Sequence, residues 1–466
     1  PREVVALDAP DMAECDPEDS PGPCHTIDES EGLFAGCIEA RRDFHIDPYG
    51  TLSFCSFIKD PALRYDLRKG SFTEGWEVFI PGLAGKVNAG PGYRKNCGAC
   101  DKRADCRWCP VYAYLESGNY SAKIPYLCAV ADEERTFRDE WKRKHRRYFR
   151  VAGITICIES DTELGSVRFN PALLAFAVPG PGKDNVVFRH HFEMPDTTKE
   201  DFGPEVYRKA PWVISRKEGS WVYREIGPNA KTPETDRLWI FSEDYSRGSI
   251  YLTDEDKKTL RTEGWHSLTH LTTDQIWLAP LLADRGAVMM HSSAISINGQ
   301  GLLFAGHSGA GKSTTVTMIK NAGTGGTKIL RSRQKERSMD IRILCDDRNI
   351  VQHTNGRWTV QGTWNHGDVP EVSADPAPLR GILFLQQDTR NRLVPITDKK
   401  EVWKRLLAVL VRPMGTATWW QKELDVLEKI VNNVPCYLMQ FDTSGRIVSE
   451  LGELIAGEFP ADKGRS

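Results

Sequence analysis

The 466-residue chain lacks any apolar run near the roughly 20 residues that a membrane-spanning helix needs, and it is read as crossing no bilayer. It also lacks an excess of one charge: the formal net charge is -3, so no global basic field points to nucleic acid. Its first residues, Pro1-Arg2-Glu3, are not those of a signal peptide, and no internal repeat is visible. The chain does not begin with Met, which suggests a fragment or a processed product. With 40% hydrophobic and 27% charged residues the composition is that of an ordinary soluble protein. A chain this long exceeds a single core, and about three domains are expected.

What the chain has in abundance is cysteine near its N-terminus. Of 12 cysteines, most lie in the first 157 residues, many at metal-ligand spacings rather than as a secreted disulfide framework. That clustering favours a reducing compartment, the cytoplasm, and a metal. Residues 1–130 are punctuated by Gly and Pro and need a staple to hold a core. Residues 131–150 read as a charged connecting helix whose basic end, Lys142 to Arg147, is a solvated face. From 151 to 285 short alternating runs (Val151 to Ile158, Val186 to Arg189, Trp221 to Arg224, Leu238 to Ser242, Ser249 to Leu252) are separated by turns such as Pro179-Gly180-Pro181-Gly182 and Gly227-Pro228-Asn229. These are expected to be strands, with Trp212, Trp221 and Trp239 in their core. Residues 286–466 alternate strand and helix and end in helices over Lys400 to Arg412, Thr418 to Val431 and Arg446 to Ile455.

The C-terminal zone contains Gly306-His307-Ser308-Gly309-Ala310-Gly311-Lys312-Ser313, a complete GxxxxGK[ST] phosphate-binding loop, followed by Thr314. An apolar strand, Gly301 to Ala305, precedes it and a helix from Ser313 to Lys320 is expected after it. Glycines at 306, 309 and 311 let backbone N–H groups turn inward toward a phosphate, and the helix N-terminus adds a positive dipole end. Lys312 would reach the β/γ-phosphates of a nucleotide, and Ser313 would supply a hydroxyl to Mg²⁺. Ala294 to Gly301 reads as strand, Asn298-Gly299 turn, strand, and that hairpin brings His291 near the loop. A second buried strand, Ile341 to Cys345, ends in Asp346-Asp347. Paired carboxylates at a strand end beside a phosphate loop suit Mg²⁺ coordination and abstraction of a hydroxyl proton.

Two resemblances carry these motifs further. A histidine before the loop, the loop, and an apolar strand ending in Asp-Asp resemble the HPr serine kinase family. Thr273-Asp274-Gln275, Met290-His291-Ser292-Ser293, Asp346-Asp347-Arg348, Gly362 to Gly367 and Ala377-Pro378-Leu379-Arg380 look most like the HPr kinase-related proteins of peptide natural-product pathways. That resemblance spans about 150 to 455. It implies nucleotide and metal binding at Lys312 and Ser313, a base or Mg²⁺ ligand at Asp346 or Asp347, and support of that base by His291. His366 and Arg380 are secondary candidates for the rim and the substrate. Two departures, Thr314 in place of an acidic residue and a basic stretch from Arg331 to Arg342, count against HPr itself as substrate.

The cysteine order, Cys37, Gly50, Cys55, Cys97-x2-Cys100, Cys106-x2-Cys109 and Cys128, resembles the SPASM domain of radical SAM peptide-modifying enzymes over about 33 to 130. By that likeness Cys97, Cys100, Cys106 and Cys128 hold one [4Fe-4S] cluster, and Cys37, Cys55 and Cys109 a second, with Cys24 or Cys15 as its fourth ligand or an open site. A zinc ribbon uses the same spacings. The CxxxCxxC triad that binds a SAM-ligating cluster is missing, so a radical SAM barrel would have to come from a lost N-terminus or a separate chain.

The expected architecture is therefore multidomain α/β: a cysteine-rich SPASM-like iron-sulfur segment, a β-rich middle part and an HPr kinase-like P-loop domain. The expected function is an ATP-dependent serine/threonine kinase acting on a ribosomally made precursor peptide. An ATP-binding docking protein without phosphotransfer is the alternative.

Overall fold

The computed structural model describes residues 32–457 apart from 42, 166, 198–199, 227–234, 272, 324–329, 333–334, 338–339 and 413–415. Cys15, Cys24 and the Gly227-Pro228-Asn229 turn lie outside the described residues, as do several positions of the Arg331 to Arg342 stretch. The described residues divide into two compact units, one up to Arg143 and one from Lys144 on.

The first unit carries a three-stranded sheet of His45–Ile46, Thr51–Ser53 and Tyr65–Asp66. The turn before its central strand forms because Asp47 accepts the backbone N–H groups of Tyr49 and Thr51, at 2.9 and 3.0 Å, while Gly50 takes φ +78°. Phe34, Ile38, Leu52, Ile58, Leu63, Ile80, Leu83 and Val111 bury against one another to make an apolar core. The long helix Pro125–His145 is tied to the cysteine-bearing loops by Arg138 and Arg135 on Asp105, and by Arg135 on Asp101 at 3.0 Å. The charge pattern of the sequence extends this helix to 150; the chain instead leaves it at His145, and Arg146–Val151 is a strand. There Phe149 and Val151 alternate with arginines and are buried, a period of two that suits a strand in a sheet and not a helix face.

The second unit opens with a nine-stranded sheet. Its order is Ala177–Val178, Arg146–Val151, Ile154–Ser160, Asp184–His191, Arg247–Tyr251, Thr235–Ser242, Ser220–Ile226, Trp212–Lys217, Glu205–Lys209. Trp221 and Trp239 are buried in its core and Trp212 packs against it. The same core takes Trp277, Leu278, Leu281 and Leu282 of the helix Gln275–Ala283, then Met289, Ile350, Trp364 and Trp419. Residues 151–285 and 286–466 are thus continuous through one hydrophobic core. Two further clusters cover the faces of an eight-stranded sheet that holds the phosphate loop. No helix among the described residues is long and apolar enough to cross a membrane.

The helix Ala417–Asn433 packs Trp419, Glu423, Val426, Leu427 and Ile430 inward. Glu423 is 0% exposed, and neither carboxyl oxygen has a hydrogen-bond partner. Burial pushes its carboxyl up to about 8. Because the folded value lies above the unfolded one, its neutral form is tolerated below pH 4.5 and its cost grows as pH rises through about 8. Glu423→Gln is therefore expected to leave stability nearly unchanged at pH 4 to 5 and to raise it by roughly 3–5 kcal/mol at pH 8 and above. Chemical denaturation across that pH range checks this; an equal effect at both ends would show that Glu423 ionises freely in the folded protein.

Candidate nucleotide site

The site is assembled on antiparallel and parallel neighbours of one strand. Ala287–Ile297 turns through Asn298 and Gly299, at φ +49° and +77°, into Gln300–Ala305 with Ile297 opposite Gln300. That is the two-residue hairpin the Asn-Gly pair calls for, since its twist matches that of the strands. Ser292 pairs with Ala305, so one step further along the register His291 comes level with Gly306. On its other side Gln300–Ala305 runs parallel to Ala377–Gln387, with Ala305 beside Phe384. The loop from Gly306 then leads into the helix Lys312–Gly323. Gly309 and Gly311 take φ +81° and +95°, and a Cβ on Gly311 would meet the Phe441 ring at 3.2 Å. These conformations are open to glycine and strained for other residues.

Lys312 is 8% exposed and donates to the carbonyls of Gly306 and His307, at 3.0 and 3.2 Å. Burial draws its ammonium below the ordinary lysine value; the charges of Asp347 and Asp346 oppose that shift, and Arg348 adds to it. The lysine head group therefore lies within electrostatic reach of the Asp-Asp pair. His307, Ser308, Gly309 and Thr314 are not buried, Ala310 is buried, and Ser313 lies in the first turn of the helix.

Asp346 and Asp347 form the turn between the strands Ile341–Cys345 and Arg348–Thr354. The structure brings His291 to Asp347: its Nε2 lies 3.2 Å from Oδ1. Arg348 donates to the same oxygen at 2.6 Å. Burial would raise the Asp347 carboxyl, but the hydrogen bond from His291 and the charges of Arg348, His291 and Lys312 outweigh it and hold the group below the usual carboxylate range. Asp347 is thus ionised, partly open to solvent and flanked by cations. Asp346 is 2% exposed and faces a different loop, accepting from the backbone N–H groups of Gly367 at 2.6 Å and Val369 at 2.9 Å. Sequence reasoning names Arg348 only as part of the Asp-Asp segment and gives it no role, since pairing across the turn depends on the register with His291.

His366 is half-buried on the loop that Asp346 holds, with Nδ1 2.9 Å from the Gly367 carbonyl. Arg380 is not brought to the site. It lies near the start of Ala377–Gln387, where Nε donates to the Leu454 carbonyl at 3.3 Å, close to the end of the helix Ile447–Ala456. A cation at a helix C-terminus complements the carbonyl dipoles there.

The cysteine unit brings part of its motif together. Burial first, then the neighbouring Cys128, Cys106 and Cys100 thiols, raise the Cys97 thiol, so these four share one neighbourhood. Cys55 and Cys109 pack on the apolar core that contains Phe34 and Ile38, which flank Cys37. All seven are thiols rather than disulfides. Among the described residues, however, no group of three or more His, Cys, Asp or Glu side chains is placed to hold a metal ion. Cys97, Cys100, Cys106 and Cys128 are near one another without ligand geometry.

No family model matches the chain, and no curated protein matches it. Among solved structures it is similar to the Hpr(Ser) kinase/phosphatase from Coxiella burnetii, at 10% identity, over 36% of this chain and 89% of that one, with a TM-score of 0.19. A likeness this slight carries no conclusion about this chain.

Proposed function

We propose that the protein is an ATP-dependent serine/threonine kinase that phosphorylates a ribosomally made precursor peptide in the cytoplasm. The observation that carries this reading is the Asp347 carboxylate, hydrogen-bonded by His291 at 3.2 Å and within electrostatic reach of the phosphate-loop Lys312. A lysine on the phosphates and an ionised carboxylate beside them are the two groups that in-line transfer to a hydroxyl requires. Lys312 would neutralise charge on the γ-phosphoryl as Asp347 takes the acceptor proton, and His291 would keep Asp347 oriented and ionised. Ser313 is the side chain suited to hold Mg²⁺, which would supply further neutralisation of the phosphates when bound. Hydrolysis without transfer would describe a nucleotide-binding docking protein instead. The test is labelled ATP with the short peptides encoded beside this reading frame: phosphopeptide is expected, and ADP without phosphopeptide would reject the kinase.

The proposal extends to an iron-sulfur SPASM segment at residues 33–130 that helps present the peptide, supported by the order of the seven cysteines and the shared neighbourhood of Cys97, Cys100, Cys106 and Cys128. Protein purified without oxygen is expected to contain iron, on the order of eight atoms per chain if two clusters load. Colourless protein with stoichiometric zinc would overturn this part.

A further inference from the structure

Two adjacent carboxylates at the strand end could serve one reaction interchangeably, but their surroundings separate them. Asp346 uses both oxygens on backbone N–H donors, Oδ1 on Gly367 at 2.6 Å and Oδ2 on Val369 at 2.9 Å, and is 2% exposed. Its own carbonyl accepts from Ser293 Oγ at 3.1 Å, which fixes the turn from below. The contact with Gly367 is so close that a Cβ there would sit 3.1 Å from Asp346 Oδ2, tighter than ordinary packing. Three residues before Gly367 the loop is held a second time, where Trp364 Nε1 donates to the buried carboxylate of Asp274 at 2.7 Å. Between them, Cys345 Sγ lies 3.3 Å from the Asn365 carbonyl. His366 therefore sits on a loop suspended from two buried carboxylates, with Nδ1 turned to the Gly367 carbonyl.

We propose that Asp346 is a positioning residue, not a second carboxylate of the reaction: with Asp274 it fixes loop 364–369 so that His366 forms the acceptor side of the nucleotide site. The acceptor part rests on the kinase reading; the fixing of the loop does not. A carboxylate already saturated by two N–H donors and closed to solvent is a poor proton acceptor and a poor ligand for a hydrated ion, whereas it is well suited to order a glycine-bearing loop.

The test compares Asp346→Asn, Gly367→Ala and Asp347→Asn in the full chain. In hydrogen exchange without nucleotide, Asp346→Asn and Gly367→Ala are expected to speed exchange across 364–369 by about tenfold or more, the weight of one charge-assisted hydrogen bond, and Asp347→Asn to leave it unchanged. In titrations of Mg²⁺ at a fixed fluorescent ATP analogue, the Asp346→Asn midpoint is expected within about twofold of wild type, since no metal contact is lost. With a random Ser-centred peptide mixture as acceptor, Asp346→Asn is expected to raise the peptide KM about tenfold while kcat falls by less than about threefold, a split that a general loss of structure would not produce. A large shift of the Mg²⁺ midpoint in Asp346→Asn, or unchanged exchange in the loop, would overturn the proposal. If Asp346→Asn does not fold, Gly367→Ala carries the exchange test alone. Wild-type protein that binds nucleotide yet modifies no peptide would reject the kinase reading, and exchange with the Mg²⁺ titration would still decide the role of Asp346.

Discussion

Asp347→Asn is expected to lower peptide phosphorylation by about 10² to 10⁴, the usual contribution of a general base, while Mg-ATP affinity at saturating Mg²⁺ stays within a few fold. The asymmetry follows from where the group acts: a base is needed as the hydroxyl proton leaves, and little before then. Lys312→Ala should differ in kind, weakening both nucleotide binding and transfer, because in the proposed reaction the ammonium would face the phosphates in ground and transition states alike. His291→Ala is expected to fall between wild type and Asp347→Asn. The pH profile separates these roles further. Asp347 is held below the ordinary carboxylate range in the free protein, so the base is ionised across neutral pH and the acid limb of kcat/KM lies below that range. Removing His291 takes away the strongest interaction that opposes burial, and the limb should move to higher pH. Wild-type rates in Asp347→Asn would leave the phosphate loop as a binding device and end the base assignment.

Asp274→Ala is expected to destabilise the second unit by about 3–5 kcal/mol, which for a unit of this size lowers Tm by about 4–7 °C. One buried carboxylate collects five donors: Ser267 Oγ at 2.7 Å, Thr269 Oγ1 at 3.1 Å and Trp277 Nε1 at 2.9 Å on one oxygen, and the Leu268 N–H at 3.2 Å and Trp364 Nε1 at 2.7 Å on the other. Alanine leaves all five without that acceptor. Trp364→Phe removes a single donor and should cost only about 1–2 kcal/mol. The two changes share a partner, so the double variant should be little worse than Asp274→Ala alone. Scanning calorimetry of the three proteins settles this: additive losses would mean that Trp364 is held by something other than Asp274.

Much of the candidate site could be read from residues close together in the chain. The phosphate loop, its strand and helix, and the Asn298-Gly299 hairpin depend on glycine conformations, helix start signals and alternation over a dozen residues, all local matters. Hairpin register then placed His291 near Gly306 without knowledge of any other contact. The closing helices were legible for the same reason, as Lys399–Val409, Ala417–Asn433 and Ile447–Ala456 follow their apolar periodicity. The charged pattern carries the expected helix over 131–150 past its true end at His145, because pairing of Arg146–Val151 with Ile154–Ser160 overrides that local signal.

By itself the sequence determined that a complete GxxxxGK[ST] loop lies between an apolar strand and a helix, that an Asp-Asp pair ends a strand, and that seven cysteines follow an ordered spacing. Only the tertiary structure decided which aspartate meets His291 and which holds the loop of Gly367, because successive side chains at a turn point to different neighbours that are distant in sequence. It alone removed Arg380 from the site, placed Glu423 in an apolar interior at a position that reads as an ordinary helical residue, and made Asp274 the meeting point of Trp277 and Trp364. Spacing along a chain specifies local conformation, whereas burial and the partner of a charge are set by packing between segments that spacing does not relate.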